Sequence, residues 1–256
     1  MEHNESTFCS LWTDQIKINE CTYLFINEKL GDDYFFNRII NTPCCYNGDT
    51  DDNDSTVMSA LQDSVSIFSE RKLKCFVYID ESDALMEAIL LKKKFTLLDT
   101  MQAFRSSYLN KIRLENQKIR VDKIGMDLLP VWIDLFCKSF NVLDWKSELH
   151  RILETNFNEL TLLIGYIKSN SSEIPAGCGL LFNKHRVNGL YCLGTVESFR
   201  RQGLAGEIVE ASLDIAKKQN NNILICQAFT NEGLVEFYKK LGFQLVYKKK
   251  IYTIYG

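Results

Sequence analysis

The sequence contains few of the residues and motifs that are typical of extended, disordered or metal-binding proteins. Its 256 residues include only 3 prolines and 13 glycines, too few for collagen-like or long disordered stretches. No Cys-x-x-Cys pair occurs among the 9 cysteines, which argues against most zinc-binding and disulfide-exchange frameworks. We therefore interpret the scattered cysteines as reduced, buried thiols of a cytosolic protein.

A basic excess and a long apolar run are both missing. The formal net charge is −3, whereas proteins that bind nucleic-acid phosphates usually carry a basic excess. A membrane-spanning helix needs about 18 or more apolar residues in a row, and the polar start MEHNESTFCS is unlike a secretory signal. The sequence therefore predicts a cytoplasmic protein with neither a nucleic-acid nor a membrane partner. The aspartate-rich run at 49–54 lacks the glycine and glutamate of a calcium loop, so no metal is expected.

The C-terminal half carries the clearest pattern of secondary structure. Apolar runs predict strands at 121–124, 160–167, 176–183, 189–196 and 223–229, with closing strands within 243–254. Helical spacing predicts helices at 127–140, 145–157, 204–219 and 232–240. Strands that alternate with helices in this order indicate an α/β fold.

The N-terminal half repeats this element order in a weak form. An offset of 148 residues aligns Phe95 with Phe243 and places a helix at 56–71 on the one at 204–219. The pattern indicates an internal duplication, although two unrelated α/β halves of similar periodicity would give the same pattern. We expect an irregular loop at 41–55.

The stretch 111–120 is charged, lacks an apolar stripe and is interpreted as a linker. The predicted domains are therefore 1–115 and 119–256. Lysines at 92–94 and 248–250 adjoin expected strands, and we interpret them as protecting strand edges from unwanted pairing.

The segment from Thr195 to Gly206 is the strongest candidate for a functional site. An apolar strand ends there, a short loop follows, and a helix begins with its partial positive charge. Gly203 lets the backbone approach an anion, while Arg200 and Arg201 add charge. Together they indicate a nest for a pyrophosphate, although an ordinary strand–turn–helix connection gives the same pattern. The loop has neither the P-loop nor the dinucleotide-binding fingerprint.

Two motifs in this half resemble those of the GNAT acetyltransferase superfamily. Arg200-x-x-Gly203-x-Ala205 resembles the Q/R-x-x-G-x-G/A signature of that family. Asn231, followed seven residues later by Tyr238 and then by Leu-Gly-Phe, resembles the family's next motif. The spacing between the two motifs is also similar.

The resemblance covers roughly 120–256 and implies the GNAT fold. That fold is α/β (α+β), with a mixed, mostly antiparallel central sheet flanked by helices, here as two GNAT-like halves in tandem. The N-terminal half would be a degenerate GNAT-like domain. Under the 148-residue offset its counterpart of the 200–206 loop is 52–58, where Asp52 and Asp54 would repel a pyrophosphate. That half is therefore expected to bind no coenzyme A (CoA).

The resemblance also implies a donor site for acetyl-CoA as co-substrate, with no metal. The pantetheine and acetyl group would pair with the end of the donor strand, at Leu193, Gly194 and Thr195. Main-chain N–H groups would hold the pyrophosphate at Arg201, Gln202, Gly203, Leu204, Ala205 and Gly206. Asn231 would contact the pantetheine arm, and Tyr238 would act as general acid near the sulfur. The helix expected to begin near Asn231 would bring Tyr238 to the same face two turns later, so both would face the donor.

The resemblance does not identify the general base. Some family members carry a glutamate five residues before the asparagine, and here that position is Cys226. Glu197, which stands where many members have proline, is one alternative, and proton loss through ordered water is another.

The implied reaction is direct attack on acetyl-CoA by a primary amine. That amine would belong to a small molecule or to a protein. One alternative is a non-catalytic acyl-CoA-binding or scaffolding protein. Another is an acyltransferase that uses a longer acyl-CoA. The oligomeric state is not indicated.

Overall fold

The computed structural model describes residues 1–20, 22–41, 51–107, 117–169, 172–220 and 223–254. Within these ranges the α-helices are α1 (Glu2–Trp12), α2 (Asp51–Glu70), α3 (Ala84–Lys92), α4 (Leu129–Phe140), α5 (Lys146–Thr155), α6 (Leu204–Lys218) and α7 (Val235–Lys240). The strands are β1 (Asp14–Lys17), β2 (Thr22–Ile26), β3 (Arg38–Asn41), β4 (Phe76–Asp80), β5 (Thr96–Ser107), β6 (Ile119–Lys123), β7 (Leu160–Ser169), β8 (Ser172–Lys184), β9 (Val187–Thr195), β10 (Ile223–Phe229) and β11 (Gln244–Thr253). The α/β prediction is confirmed.

The chain folds into two compact units built from interleaved segments. The first consists of Met1–Phe8, Ala103–Gln227 and Val235–Val246. The second consists of Cys9–Gln102, Ala228–Leu234 and Tyr247–Gly256. The division at 115–119 stays a prediction about domains, and three strands, β5, β10 and β11, contribute residues to both units.

The first unit contains the strand order β10-β9-β8-β7-β6. Strands β6 to β9 pair antiparallel, and β9 pairs parallel with β10. Helix α6 lies close to this sheet because glycines face it: a Cβ at Gly165 or Gly177 would lie 2.7 or 2.8 Å from side-chain atoms of Leu204. From α4, the buried Trp132 donates its Nε1 hydrogen to the Gly179 carbonyl at 3.1 Å.

The second unit contains the strand order β1-β2-β3-β4-β11-β5. Strand β11 has a neighbour on each side and pairs antiparallel with β4. The edge-protection interpretation of the lysines at 248–250 is therefore wrong. These lysines bind carboxylates instead: Lys248 reaches Glu81 at 3.1 Å, and Lys250 reaches Glu87 at 2.7 Å.

Helix α2 begins earlier than the sequence pattern indicates. Its first residue is Asp51, so the loop prediction is wrong for 51–55, while 42–50 lie outside the described residues. Residues 52–55, the counterpart of the 200–203 loop under the offset, are therefore helix, and the absence of CoA binding in that half stays a prediction.

The predicted repeat of element order is present in the described elements. The 148-residue offset carries the start of β5 at Thr96 onto the start of β11 at Gln244. It also carries α2, β4 and α3 onto α6, β10 and α7, with shifted ends. The degenerate GNAT-like character of the N-terminal half stays a prediction.

The cysteines behave as expected where the structure describes them. All six cysteines in the described ranges are free thiols, and all but Cys192 are buried. Burial raises the pKa of the Cys75 thiol to about 12. In these same ranges, no helix is both long enough and apolar enough to cross a membrane.

Candidate functional site

Strand β9 carries a bulge directly before the residues expected to contact the donor. Its register against β8 pairs Tyr191 with Leu180 but Gly194 with Cys178, and Cys192 has a left-handed φ of 54°. Two residues of β9 therefore stand opposite one residue of β8. Such a bulge takes backbone groups out of the ladder and is common beside active sites. Strand β9 can thus offer main-chain hydrogen bonds to a ligand near its end.

The start of helix α6 concentrates backbone N–H donors at the loop. Gly203 is the N-cap with a φ of 91°, and Arg201 before it has a φ of 62°. Because α6 begins at Leu204, the N–H groups of Leu204, Ala205 and Gly206 have no acceptor within the helix. The N-cap residue provides no side-chain cap hydrogen bond. This arrangement suits an anion.

Arg200 connects the loop to helix α4. Its Nε donates to the carbonyl of Thr195 and its Nη2 to the carbonyl of Ser139, both at 3.1 Å. The guanidinium therefore braces the loop, a role that the sequence did not predict. The side chains of Arg201 and Gln202 are exposed and stand where an incoming anion would meet the helix.

Gly194 allows direct contact between the end of β9 and helix α4. A Cβ at this position would lie 2.7 Å from the Cβ of Ser139 and 2.9 Å from a ring carbon of Phe140. Only glycine permits this approach. Gly206 is different, since a Cβ there would meet only Leu241, at 3.9 Å.

Tyr238 is buried in the first unit, and its hydroxyl is hydrogen-bonded to the thiol of Cys226. The ring is 3% exposed, stacks on Phe104 at 5.0 Å and meets Phe243 edge-on at 5.5 Å between centroids. Burial raises the pKa of Cys226 well above its ordinary value, against the smaller lowering effect of the Tyr238 hydrogen bond. The thiol is therefore protonated at neutral pH and cannot accept a proton from an amine.

Asn231 belongs to the second unit and lies in a short 3₁₀ turn, Thr230–Glu232. Its N–H donates to Oδ1 of the buried Asp99 at 3.4 Å. Gly233, with a φ of 67°, ends this turn before α7 begins. Asn231 and Tyr238 are therefore not on one helix, so the prediction that one helix carries both residues is wrong, while their roles at the donor stay predictions. The left-handed glycine interrupts the helix that the spacing assumed.

Two features of this region were missed in the sequence. The packing of Ser139 on Gly194 could have been predicted from the sequence, because a glycine inside a strand suggests close approach of another element. The second is Glu5, a carboxylate only 2% exposed that accepts a hydrogen bond from the side-chain amide of Gln227. No local sequence pattern identifies Glu5 as a functional residue. Glu197, considered as a base, is exposed at the start of a 3₁₀ turn.

Residues 129–243 match the sequence model of the Acetyltransferase (GNAT) family. A probable N-acetyltransferase named san from Drosophila melanogaster is 32% identical over 87 residues, which are 32% of this chain and 47% of that protein. The structure is similar to a GCN5-related N-acetyltransferase from Kribbella flavida, with a TM-score of 0.72, 12% identity and coverage of 99% of this chain and 94% of that one. It is also similar to a tandem GNAT protein from the clavulanic acid biosynthesis pathway, with a TM-score of 0.59, 9% identity and coverage of 85% and 74%.

The fold is thus similar to that of GCN5-related N-acetyltransferases. The family match covers a little under half of the chain. The matches to curated relatives span about half of those proteins' lengths or less, between 38% and 52%.

Proposed function

We propose that this chain is an N-acetyltransferase that moves the acetyl group of acetyl-CoA to a primary amine. The observation that carries the proposal is the start of α6, where Gly203 with a φ of 91° precedes a helix N-terminus just after a bulged strand. This combination provides anion-binding donors beside free strand backbone. The match of 129–243 to the GNAT family model supports the assignment.

The donor would lie along the end of β9 and the start of α6. The backbone of Leu193, Gly194 and Thr195 would pair with the pantetheine and acetyl group. The pyrophosphate would be held at Arg201, Gln202, Gly203, Leu204, Ala205 and Gly206. Asn231 would contact the pantetheine arm. No metal takes part in this proposal.

The chemistry is a direct acyl transfer. The amine nitrogen forms a bond to the thioester carbon, the carbon–sulfur bond breaks, the sulfur leaves as a thiolate, and the nitrogen loses a proton to water as the amide forms. Tyr238 donates its phenolic proton to that sulfur, which supports an enzyme over a binding protein, because a binder needs no proton donor there. The acceptor is a small molecule or a protein.

The test is release of free CoA thiol from acetyl-CoA in the presence of a panel of primary amines, with the products identified by mass. We expect thiol release that depends on both the amine and the protein, and an amine that gains one acetyl group. Binding of acetyl-CoA without transfer to any amine would instead indicate a binding or scaffolding protein. Faster transfer from butyryl-CoA or octanoyl-CoA would indicate a longer-chain acyltransferase.

A further inference from the structure

Strands β9 and β10 stop pairing partway along their length. Among the described residues their parallel register ends with Leu190 opposite Cys226, although β9 continues to Thr195 and β10 to Phe229. The next residue is Tyr191 on β9 and Gln227 on β10. We call the place between these two residues the fork, and it lies within the first unit.

One face of the sheet at the fork carries the proposed general acid. Leu190 and Cys226 project to the same face because they stand side by side in the register. Helix α6 covers this face, since a Cβ at Gly179 would lie 2.7 Å from Ile208 and 3.6 Å from Leu190. The hydroxyl of Tyr238 bonds to Cys226 on this side.

The opposite face carries a carboxylate supplied by helix α1. Tyr191 and Gln227 project to it, because successive side chains of a strand alternate between faces. The Tyr191 hydroxyl donates to Oδ1 of Asn4 at 2.7 Å, and the Gln227 amide donates to Oε2 of Glu5. Asn4 and Glu5 are each 2% exposed. Helix α1 thus places a buried carboxylate at the fork, on the face away from Tyr238.

We infer that Glu5 accepts the proton that a primary ammonium must lose before it attacks the thioester. This inference rests on the proposed function. The proton passes from the ammonium nitrogen to the Glu5 carboxylate with at most one bridging water. The neutral nitrogen then bonds to the carbonyl carbon, and the carbon–sulfur bond breaks while Tyr238 protonates the departing sulfur. The second proton, which the nitrogen loses as the amide forms, passes to water, from which the Tyr238 phenolate is reprotonated. Base and acid on opposite faces keep the entering nitrogen and the leaving sulfur apart.

Other candidates for the base fit less well. Cys226 stays protonated because its pKa is raised by burial. Glu197 is exposed in the donor loop. Glu148, also buried in the first unit at 5% exposure, is ion-paired with Arg151 on the same helix. Among the described glutamates of the first unit, Glu5 combines burial, a hydrogen bond from the Gln227 amide and a place at the fork.

The test compares two acceptors in Glu5→Gln, which preserves the size of the side chain and its ability to accept from Gln227. One acceptor is the best alkylamine of the panel, an ammonium at neutral pH. The other is the alkoxyamine of the same length, already neutral. We expect kcat/KM to fall by about 10²–10⁴-fold for the alkylamine and far less for the alkoxyamine. Glu2→Gln, exposed on the same helix, should match the unaltered protein with both acceptors.

Equal losses with both acceptors, or no loss with either, would overturn the role of Glu5. Glu5→Asp keeps a carboxylate and should retain much of the preference for the alkylamine, which tests the idea even if Glu5→Gln folds poorly. Calorimetric affinity for acetyl-CoA should be unchanged in both variants. If the unaltered protein acetylates no amine, the proposed function fails and the role of Glu5 fails with it. If the unaltered protein acetylates an amine but Glu5→Gln shows no selective fall in kcat/KM for the alkylamine, only the role of Glu5 fails and the proposed function stands.

Discussion

At the scale of single residues, Tyr238 has its ring fixed by aromatic packing and its hydroxyl fixed by Cys226. Phenylalanine keeps the ring and removes only the hydroxyl. We expect Tyr238→Phe to lower kcat by about 10²–10⁴-fold because the leaving thiolate loses its proton donor. The free energy of unfolding should fall by only about 0.5–1.5 kcal/mol for the lost hydrogen bond.

Steady-state kinetics with chemistry rate-limiting, together with urea unfolding, provide both values for Tyr238→Phe. Tyr166→Phe, which removes a hydroxyl from a half-buried tyrosine of the same unit, serves as control and should leave kcat unchanged. Full kcat in Tyr238→Phe would show that this tyrosine only packs.

Gly194 tests the contact between the donor strand and helix α4. In Gly194→Ala the new methyl group would lie 2.7 Å from the Cβ of Ser139, so the helix or the strand must move. We expect unfolding free energy to fall by about 1–3 kcal/mol, measured by urea denaturation. Gly206→Ala places its methyl group in ordinary contact, 3.9 Å from Leu241, and should cost far less. Equal stability of the two variants would contradict the close approach at Gly194.

At the scale of elements, the N-terminus of α6 is the proposed pyrophosphate site. Gly203→Val would force a β-branched side chain into a left-handed conformation and block the approach of an anion. We expect acetyl-CoA affinity to fall by at least about tenfold, or ~1.4 kcal/mol, by calorimetry. Gly31→Val is the control for strain, because Gly31 also has a positive φ, of 57°, but lies in the second unit. Unchanged affinity in Gly203→Val would place the pyrophosphate elsewhere.

Strand β11 and helix α3 are joined by an ion pair that makes stability depend on pH. Hydrogen bonds from Lys250 first, and then from Tyr252, lower the pKa of Glu87. A carboxyl with a lowered folded pKa stabilises the protein above its unfolded value, about 4.3. That contribution is lost as pH falls through the folded pKa.

Lys250→Met should therefore be less stable than the unaltered protein at neutral pH, and the difference should shrink in acid. Urea unfolding at neutral pH and below the ordinary pKa of glutamate measures both differences. The effect is small because both side chains are partly exposed, at 22% and 28%. Lys93→Met, at an exposed lysine of the same unit, should show no such change. A difference that grows in acid would contradict the assigned sign.

The sequence predicted those elements in which the spacing of apolar residues identifies the buried face. Helix α6 and strand β10 lie within a residue of the expected bounds because their apolar spacing is unbroken. The bulge at Cys192, the turn at Gly233 and the early start of α2 depend on backbone conformation that apolar spacing does not report. Glu5 was missed for another reason, since its partner Gln227 lies 222 residues away and only the fold brings them together.

At the scale of the whole molecule, the two halves of the sequence share a repeated order of elements, while the glycine-bearing loop at 200–203 has a helix at its counterpart positions. Helix α2 simply continues through the stretch where the other half forms the loop. This difference supports a single donor site in the chain, although it replaces the acidic-loop explanation offered by the sequence. The N-terminal half would then contribute sheet and helix structure without binding CoA.

A calorimetric titration of the full chain with acetyl-CoA tests this account most directly. Saturation at one acetyl-CoA per chain is the expected result, because within the described ranges a left-handed glycine at a helix N-terminus directly after a bulged strand is seen at the start of α6. Saturation at two acetyl-CoA molecules per chain would contradict the single donor site. The absence of saturable binding would contradict the acetyltransferase assignment itself.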